Sequence, residues 1–273
     1  MTIARLLIVA GSDSGGGAGI QADIKTATML GGHAMTAITA ITVQNTLGVS
    51  DVLPIPPAVV AAQMRAVIDD IGVDAIKTGM LGDAPVVEAV ADVIGQLAVR
   101  PFVVVDPVMI AKGGASLLHR DAVAALSGLL LPLATLVTPN IPELEVLTGR
   151  NIATADEAAD AADALADRLG IAVLAKGGHL PGGEVVDQLI VRGHAPVHWS
   201  NERIDTCHTH GTGCTLASAI ATGLAQGLTA EQAISRGIAY VRAAMAQAPG
   251  LGQGHGPLGH ALGIAPFDMV RRG

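Results

Sequence analysis

Short apolar runs alternate with longer stretches of helical periodicity along most of the chain. The apolar runs are rich in β-branched residues and lack polar alternation, which is typical of strands covered on both faces of a parallel sheet. They predict strands at Leu6–Ala10, Ala34–Val43, Asp74–Thr78, Phe102–Asp106, Leu136–Thr138 and Ala172–Lys176. Apolar residues three and four apart predict helices at Ile20–Leu30, Pro57–Ile71, Ala84–Leu97, Asp121–Leu131 and Ala155–Leu169. This alternation predicts a doubly wound α/β fold.

Two segments depart from the alternation. Val49–Ile55 and Val185–Trp199 have strand character but no helix after them, and they predict a small β flap or an edge hairpin. Thr154 with Glu157, and Thr229 with Gln232, have the spacing of a capping box before an apolar helical repeat. The chain contains no linker or internal repeat, so a single domain over residues 1–273 is expected.

Composition narrows the function. Half of the 273 residues are hydrophobic and only 15% are charged, which is ample for a large core. The net charge of −8, without a basic block, argues against nucleic acid or an anionic membrane as partner. Two cysteines do not make a disulfide framework, and the apolar run after Arg5 is too short for a signal peptide, so a cytoplasmic protein is expected. Aromatic residues are few, so a ring-shaped substrate would need aliphatic or Met walls.

Chemically capable residues follow the predicted strands at their carboxyl ends. In an open α/β sheet, this is the edge at which ligands bind. The sequence therefore predicts an active site there. The residues that would meet at this edge are Gly11–Gly19, Gln44 with Asn45, Gly79 with Met80, Asp106, Asn140 with Glu143, and Lys176 with His179.

The glycine run Gly11–Gly19 lacks the spacing of a dinucleotide-binding fingerprint, and the second strand ends at Gln44 rather than at an acid. The chain also has no P-loop motif. A flexible turn before a helix is one interpretation of the run. Consecutive glycines favour the other, a close approach of the backbone to a ligand.

A second glycine turn, Gly211–Gly213, opens a helical repeat near the C-terminal end. The unpaired N–H groups at such a helix start suit a phosphate or a developing anion. Cys214 would lie in the first turn, where the pKa of a thiol tends to fall. The alternative is an ordinary turn before a core helix, with Cys214 packed as a small hydrophobe. Both interpretations remain open from this segment alone.

Two carboxylates and one lysine are candidates for a metal and phosphate site. Asp106 and Glu143 could hold Mg²⁺ through water, although each could instead cap a helix start. Lys176, at the end of a buried strand, is expected to contact phosphate, with a structural salt bridge as the alternative. A zinc cluster is disfavoured, because the candidate ligands have no standard spacing. Those candidates are Cys207, His208, His210 and Cys214.

Several segments, taken together, resemble one family. In chain order they are Ala10–Thr26, Val43–Thr46, Lys77–Leu81, Asp106–Met109, Thr138–Glu143, Ala175–His179, Thr209–Thr215 and Gly254–His260. They resemble the bacterial hydroxymethylpyrimidine/phosphomethylpyrimidine kinases of thiamine biosynthesis, within the ribokinase-like superfamily. The resemblance implies a ribokinase-like fold, ATP and Mg²⁺ as cofactors, and a homodimer. It also implies phosphorylation of 4-amino-5-hydroxymethyl-2-methylpyrimidine, and then of its monophosphate to the diphosphate.

The resemblance assigns roles to residues. Gln44 would read the pyrimidine edge, with Gly11, Met80, Val108 and Asp23 on the substrate side. Lys176, Asn140 and Lys112 would serve phosphates, while Asp106 and Glu143 would serve Mg²⁺. Gly211, Thr212, Gly213 and Cys214 would form the anion hole, and Cys214 takes the place of the general base that is Asp in related sugar kinases. The loop Ile110–Ser116, with Lys112, is a candidate lid that could meet the substrate's own phosphate in the second step.

One position departs from the family pattern, because His208 stands where Asn is usual. The hydrogen bonds that Asn would make just before the anion hole are therefore not assured in this chain.

A pyridoxal/pyridoxine kinase on the same scaffold is the nearest alternative function. A non-catalytic nucleotide- or pyrimidine-binding sensor is an alternative from another class. A nicotinamide oxidoreductase is disfavoured by the missing fingerprint.

Overall fold

The computed structural model describes residues 3–109 and 120–262, and the strands in these ranges form one nine-stranded sheet. The spatial order is β3-β2-β1-β4-β5-β6-β7-β8-β9. From β2 to β7 all neighbours are parallel, whereas β3, β8 and β9 pair antiparallel at the two edges. The strands are β1 (Arg5–Asp13), β2 (His33–Asn45), β3 (Gly48–Pro54), β4 (Ala75–Thr78), β5 (Phe102–Val105), β6 (Leu136–Val137), β7 (Ala172–Ala175), β8 (Glu184–Ile190) and β9 (Val197–Glu202).

Helices cover both faces of the sheet. They are α1 (Gly19–Met29), α2 (Pro57–Asp70), α3 (Ala84–Gly95), α4 (Arg120–Ala125), α5 (Ile141–Thr148), α6 (Ala155–Leu169), α7 (Thr212–Ala225) and α8 (Ala230–Ala246). Along β1, Leu7 and Val9 pack against the layer of α2 to α6, while Leu6 and Ile8 pack against α1, α7 and α8. Burial of both faces explains the continuous apolar runs, and it confirms the predicted doubly wound architecture. Among the described helices, none is both long and apolar enough to span a membrane.

Capping boxes mark the starts of three helices, two of which were predicted from the sequence. The predicted capping boxes of Thr154 with Glu157 and of Thr229 with Gln232 are both present, at the starts of α6 and α8. A third capping box joins Asn140 and Glu143 at the start of α5. The capping alternative for Glu143 is therefore confirmed.

The structure differs from the prediction in three places. The helix expected at Asp121–Leu131 is α helical only as α4 and continues as a π turn (Leu126–Leu130) and a 3₁₀ turn (Leu131–Leu133). Pro132 explains its end, since proline has no N–H to donate and its ring clashes with the carbonyl four residues earlier. Val185–Trp199 divides into β8 and β9, which form a hairpin at one edge, while β3 forms the other edge. Gln44 lies inside β2 rather than after it.

Candidate active site

A cavity of about 1050 Å³ opens at the carboxyl ends of the central strands, where the sequence predicted a site. Apart from Asp23, each residue in the described part of the chain to which the family resemblance assigned a role lines this cavity, whereas Asn45 does not. Lys112 and the loop Ile110–Ser116 lie outside the described residues. The predicted residues on the wall are Gly11, Gln44, Met80, Asp106, Val108, Asn140, Glu143, Lys176, Gly211, Thr212, Gly213 and Cys214.

The start of α7 lies at the centre of the cavity. Gly211 precedes the helix with φ +86°, in the left-handed region that glycine adopts without strain. A Cβ on Gly211 would overlap the carbonyl oxygen of Gly17, so the two glycine loops lie in backbone contact. No side chain caps this end of α7, although the Thr212 N–H donates to the Thr209 carbonyl at 3.4 Å. The backbone N–H groups at such a helix start suit an anion.

Lys176 and Asp106 lie directly beside this helix start. The Nζ atom of Lys176 donates to Oδ1 of Asp106 at 2.9 Å, and Thr138 donates to the same oxygen at 3.2 Å. A Cβ built on Gly213 would lie 3.4 Å from Nζ of Lys176 and 3.5 Å from Oδ2 of Asp106. The salt bridge considered for Lys176 is therefore present, and its contact with phosphate stays a prediction.

Glu143 has a double role at the cavity wall. Its carboxylate accepts from the backbone N–H of Asn140 at 2.8 Å, and the Asn140 side chain accepts from the Glu143 N–H at 2.9 Å. Burial raises the pKa of Glu143 to about 7, with a further rise from Asp106 that Lys176 opposes. The carboxyl is thus easily protonated until a cation approaches it.

Asp106 and Glu143 fit a partly hydrated Mg²⁺, which needs only one or two carboxylates besides water and substrate phosphates. Within residues 3–109 and 120–262, no group of three His, Cys, Asp or Glu side chains is arranged to hold a metal. Of the residues named for the disfavoured zinc cluster, Cys207 is exposed and His210 is bonded to Asp13. Magnesium binding by Asp106 and Glu143 stays a prediction.

The pKa of Cys214 is the clearest correction to the sequence analysis. A lowered value was expected at a helix start, but burial raises the pKa of this thiol to about 12. Asp23 and Asp106 raise it further, whereas Lys77 lowers it. Cys214 is therefore a thiol rather than a thiolate at neutral pH.

Asp23 does not lie on the cavity wall, although the family resemblance assigned it to the substrate. It is buried, where it accepts hydrogen bonds from Lys77 at 3.0 and 2.9 Å and from Ser218 at 2.7 Å. Lys77 does line the cavity, and the sequence analysis gave it no role. A lysine in a run of buried strand residues is the signal that could have identified it.

The glycine run Gly11–Gly19 folds around one of its own side chains. The Asp13 carboxylate accepts from the backbone N–H groups of Gly15, Gly17 and Ala18, at 2.8, 2.9 and 2.8 Å. These N–H groups are therefore engaged by the protein itself. Ala18 and Gly19 line the cavity, and the approach of this backbone to a ligand stays a prediction. The run still contributes Gly11 to the wall, and a Cβ there would lie 3.1 Å from Sδ of Met80.

The far end of the cavity was not predicted. It is lined by aliphatic and Met side chains: Ile204, Leu216, Ile238, Val241 and Met245. Ile238, Val241 and Met245 lie three and four residues apart on α8. Apolar residues at this spacing predict a helix face packed in the core, so the sequence did not mark them as cavity residues. His208, the departure from the family pattern, is half-buried and does not line the cavity.

Comparisons with known proteins agree on one family. A family model described as phosphomethylpyrimidine kinase matches residues 13–259. The chain is 46% identical over 260 residues to a hydroxymethylpyrimidine/phosphomethylpyrimidine kinase of Bacillus subtilis, covering 95% of this chain and 96% of that protein. It is 54% identical over 258 residues, or 94% of this chain, to the thiamine biosynthesis bifunctional protein ThiED of Geobacter sulfurreducens, and spans 52% of that relative's length.

Solved structures include a close neighbour with a different acceptor. An ADP complex of Bacillus subtilis pyridoxal kinase superimposes with a TM-score of 0.85 at 37% identity, covering 95% of this chain and 98% of that one.

Proposed function

Because the chain belongs to the phosphomethylpyrimidine kinase family, we propose that it phosphorylates 4-amino-5-hydroxymethyl-2-methylpyrimidine with ATP and then converts the monophosphate to the diphosphate. One observation carries this proposal. The start of α7 lies against the Lys176–Asp106 pair within the cavity that Gln44 and Met80 also line. A helix start that suits an anion, the Lys176 cation and the Gln44 amide, which can hydrogen-bond a heterocycle, therefore line the same cavity.

The first transfer needs alignment more than covalent chemistry. The hydroxymethyl oxygen attacks the γ-phosphorus, the bond from that phosphorus to the β-phosphate oxygen breaks, and ADP leaves. The N–H groups of Thr212, Gly213 and Cys214 stabilise charge on the migrating group, and Lys176 stabilises charge on the departing phosphates. Cys214 stands in the place of the base, and it accepts the hydroxyl proton in the small fraction of molecules in which it is a thiolate, because a thiol cannot take a second proton.

The second transfer differs in its nucleophile. A phosphate monoester, whose second pKa is about 6, already carries an anionic oxygen at neutral pH. That oxygen needs no base in order to attack. Cys214 is therefore required as a proton acceptor in the first transfer only, whereas the anion hole serves both.

Asp106 and Glu143 would hold Mg²⁺ beside the phosphates. When bound, the ion neutralises charge that develops on the transferring and leaving groups. Burial raises the pKa of Glu143, and a cation bound beside it would favour the ionised carboxyl.

Pyridoxal phosphorylation is the second candidate, because a pyridoxal kinase shares this fold with a TM-score of 0.85. ADP release should be measured with MgATP and the hydroxymethylpyrimidine, its monophosphate, or pyridoxal. Turnover of both pyrimidines with poor use of pyridoxal supports the proposal. Turnover of pyridoxal alone would contradict the proposed acceptor, although the protein would still be a kinase. Binding of a ligand without ADP release would indicate a sensor.

A homodimer in a reducing cytoplasm completes the proposal. Apolar side chains are exposed on the β2–β3 edge, with exposed fractions of 45% for Ile41, 56% for Val43 and 62% for Leu53. Such a strip suits a protein–protein contact. Both cysteines are free, as expected in a reducing compartment. Light scattering on the purified protein tests the dimer, and a monomeric mass would contradict it.

A further inference from the structure

The hydrogen bonds around Asp13 determine where His210 carries a proton. Asp13 and His210 are both buried, and Nε2 of His210 lies 3.0 Å from Oδ2 of Asp13. Oδ2 also accepts from the N–H groups of Gly17 and Ala18. Burial alone would raise the pKa of Asp13, but bonds from His210 and the backbone hold it below its ordinary value. Because this ionised carboxylate can only accept, Nε2 of His210 carries the hydrogen between them.

The proton on His210 in turn constrains Gln44. The amide nitrogen Nε2 of Gln44, as the side chain is placed, lies 3.3 Å from the same Nε2 atom of His210. An amide group cannot donate to a nitrogen that already carries a hydrogen. The oxygen and nitrogen of an amide have nearly the same shape, so their positions follow from the partners. The amide oxygen of Gln44 therefore faces His210.

Thr42 gives the same orientation independently. Its hydroxyl lies 2.8 Å from the carbonyl oxygen of Ser12 and 2.9 Å from the amide atom placed as Oε1 of Gln44, so that one hydroxyl hydrogen faces two acceptors until the amide is turned over. The single hydroxyl hydrogen goes to the carbonyl, which can only accept. The hydroxyl then accepts from the Gln44 amide, which must present its NH₂ group to Thr42. Both contacts thus agree on one orientation.

We infer that His210, held by Asp13, is a positioning residue that fixes the orientation of the Gln44 amide toward the substrate. This inference rests on the proposed function, in which Gln44 reads the aminopyrimidine edge. With one amide hydrogen on Thr42 and one oxygen lone pair toward His210, Gln44 retains one donor and one acceptor side by side. A ring nitrogen next to an exocyclic amino group satisfies both. Pyridoxal has a methyl group beside its ring nitrogen and does not offer this adjacent pair of acceptor and donor.

His210→Phe keeps a ring but removes the donor, which allows the Gln44 amide to rotate. The KM for the hydroxymethylpyrimidine should rise by about 10- to 100-fold, the effect of losing an aligned hydrogen bond. The kcat and the KM for ATP should stay within about threefold, and discrimination against pyridoxal should weaken. His194→Phe, at an exposed histidine, is the matched control and should leave every constant unchanged.

A double-mutant cycle separates positioning from general damage. If His210 acts through Gln44, the KM penalty of His210→Phe should disappear in a Gln44→Ala background. A full penalty in that background would overturn the inference. Should His210→Phe fail to fold, the ring NMR of the wild-type protein tests His210, and Thr42 variants test the other contact that holds the Gln44 amide. Thr42→Val should raise the KM for the pyrimidine, whereas Thr42→Ser should keep the wild-type value, and equal values for both would count against the inference.

The proton position has a readout that does not depend on activity. Nitrogen NMR of the histidine ring in wild-type protein should show a hydrogen on Nε2 of His210, and an unprotonated Nε2 would overturn the inference. Failure of the proposed function is distinguishable, because wild-type protein would then release no ADP with the pyrimidine. If the wild type phosphorylates the pyrimidine but the KM penalties of His210→Phe and Gln44→Ala are additive, the positioning role is refuted and the proposed function is not.

Discussion

Lys77 donates hydrogen bonds to both carboxylate oxygens of Asp23, and neither side chain is exposed to solvent. The pair lies beneath the start of α7, where Ser218 donates to the same carboxylate. Its charges act on Cys214 in opposite directions, since Lys77 lowers the pKa of the thiol and Asp23 raises it. The pair thus affects both the folding stability of the core and the pKa of Cys214 in the site.

Lys77→Met should destabilise the protein by about 3–5 kcal/mol, because it leaves the Asp23 charge buried without its partner. The double variant with Asp23→Leu should recover most of the loss. Urea unfolding of the two variants measures both effects. A loss below about 1 kcal/mol in the single variant would mean that Asp23 is neutral in the folded protein.

Cys214→Ala should lower kcat for the first transfer by about 10²–10⁴-fold, the range for removal of a general base. The value of about 12 for the pKa of Cys214 favours the lower end, since little thiolate exists at neutral pH. The second transfer should be much less affected because its nucleophile is already anionic. Steady-state assays with each acceptor test this. Near wild-type turnover would refute the base role, and equal losses in both transfers would indicate damage to the anion hole.

Lys176→Gln should lower kcat/KM for ATP by about 10²–10³-fold, because a cation beside the phosphates is lost. Arg192→Gln, which breaks an exposed ion pair with Asp167, is the control and should change nothing. The ion pair of Lys176 with Asp106 could instead be purely structural. In that case urea unfolding would show a loss of stability while the constants for ATP stayed constant.

Glu143 makes stability depend on pH with a defined sign. Its folded pKa of about 7 lies above the ordinary value of 4.5, so the folded protein holds a proton that the unfolded chain releases between these values. Its contribution is therefore present at low pH and lost as pH rises through about 7. Glu143→Gln should gain stability relative to wild type, by up to about 3 kcal/mol, between about pH 5 and pH 8.

Urea unfolding at both pH values measures this change. Glu157→Gln is a matched control, because Glu157 occupies the same capping-box position in α6 but has a lowered pKa. Its effect should have the opposite sign, with stability lost relative to wild type as the pH rises from acid. A pH-independent difference for Glu143→Gln would contradict the raised pKa.

Lys112→Ala should impair use of the monophosphate selectively. The expectation comes from the sequence, since Lys112 lies outside the described residues. A lysine that meets the substrate's own phosphate contributes only when that phosphate is present, so the KM should rise by about tenfold for the second acceptor alone. Arg65→Ala, an exposed change on α2, is the control. Equal effects on both acceptors would place Lys112 at the phosphates of ATP instead.

The sequence located the site well because its residues follow strands. Continuous apolar runs predict a parallel sheet, and parallel strands bring Asp106, Asn140 and Lys176 to one edge. The helix start at Gly211 was also recognisable from its glycines. These features depend on local pattern and chain order, both of which the sequence carries directly.

What escaped prediction depends on contacts between distant segments. Asp13 and His210 are separated by 197 positions, and no local pattern shows that they meet. The direction of the Cys214 pKa shift was wrong for the same reason. The helix start is visible in sequence, but the desolvating layers and the nearby carboxylates are not.

The contact of Gly211 with Gly17 has a consequence for protein engineering. Their loops come from opposite ends of the chain, yet the carbonyl of Gly17 occupies the space that a side chain on Gly211 would need. Consider a chimera of this chain and a relative whose junction lies between positions 17 and 211. Its first glycine loop, with Gly17, comes from one parent, and its last glycine loop, with Gly211, comes from the other. Such a chimera should therefore fold only when the parent of the last loop has glycine at position 211, and libraries should vary the two loops as one block.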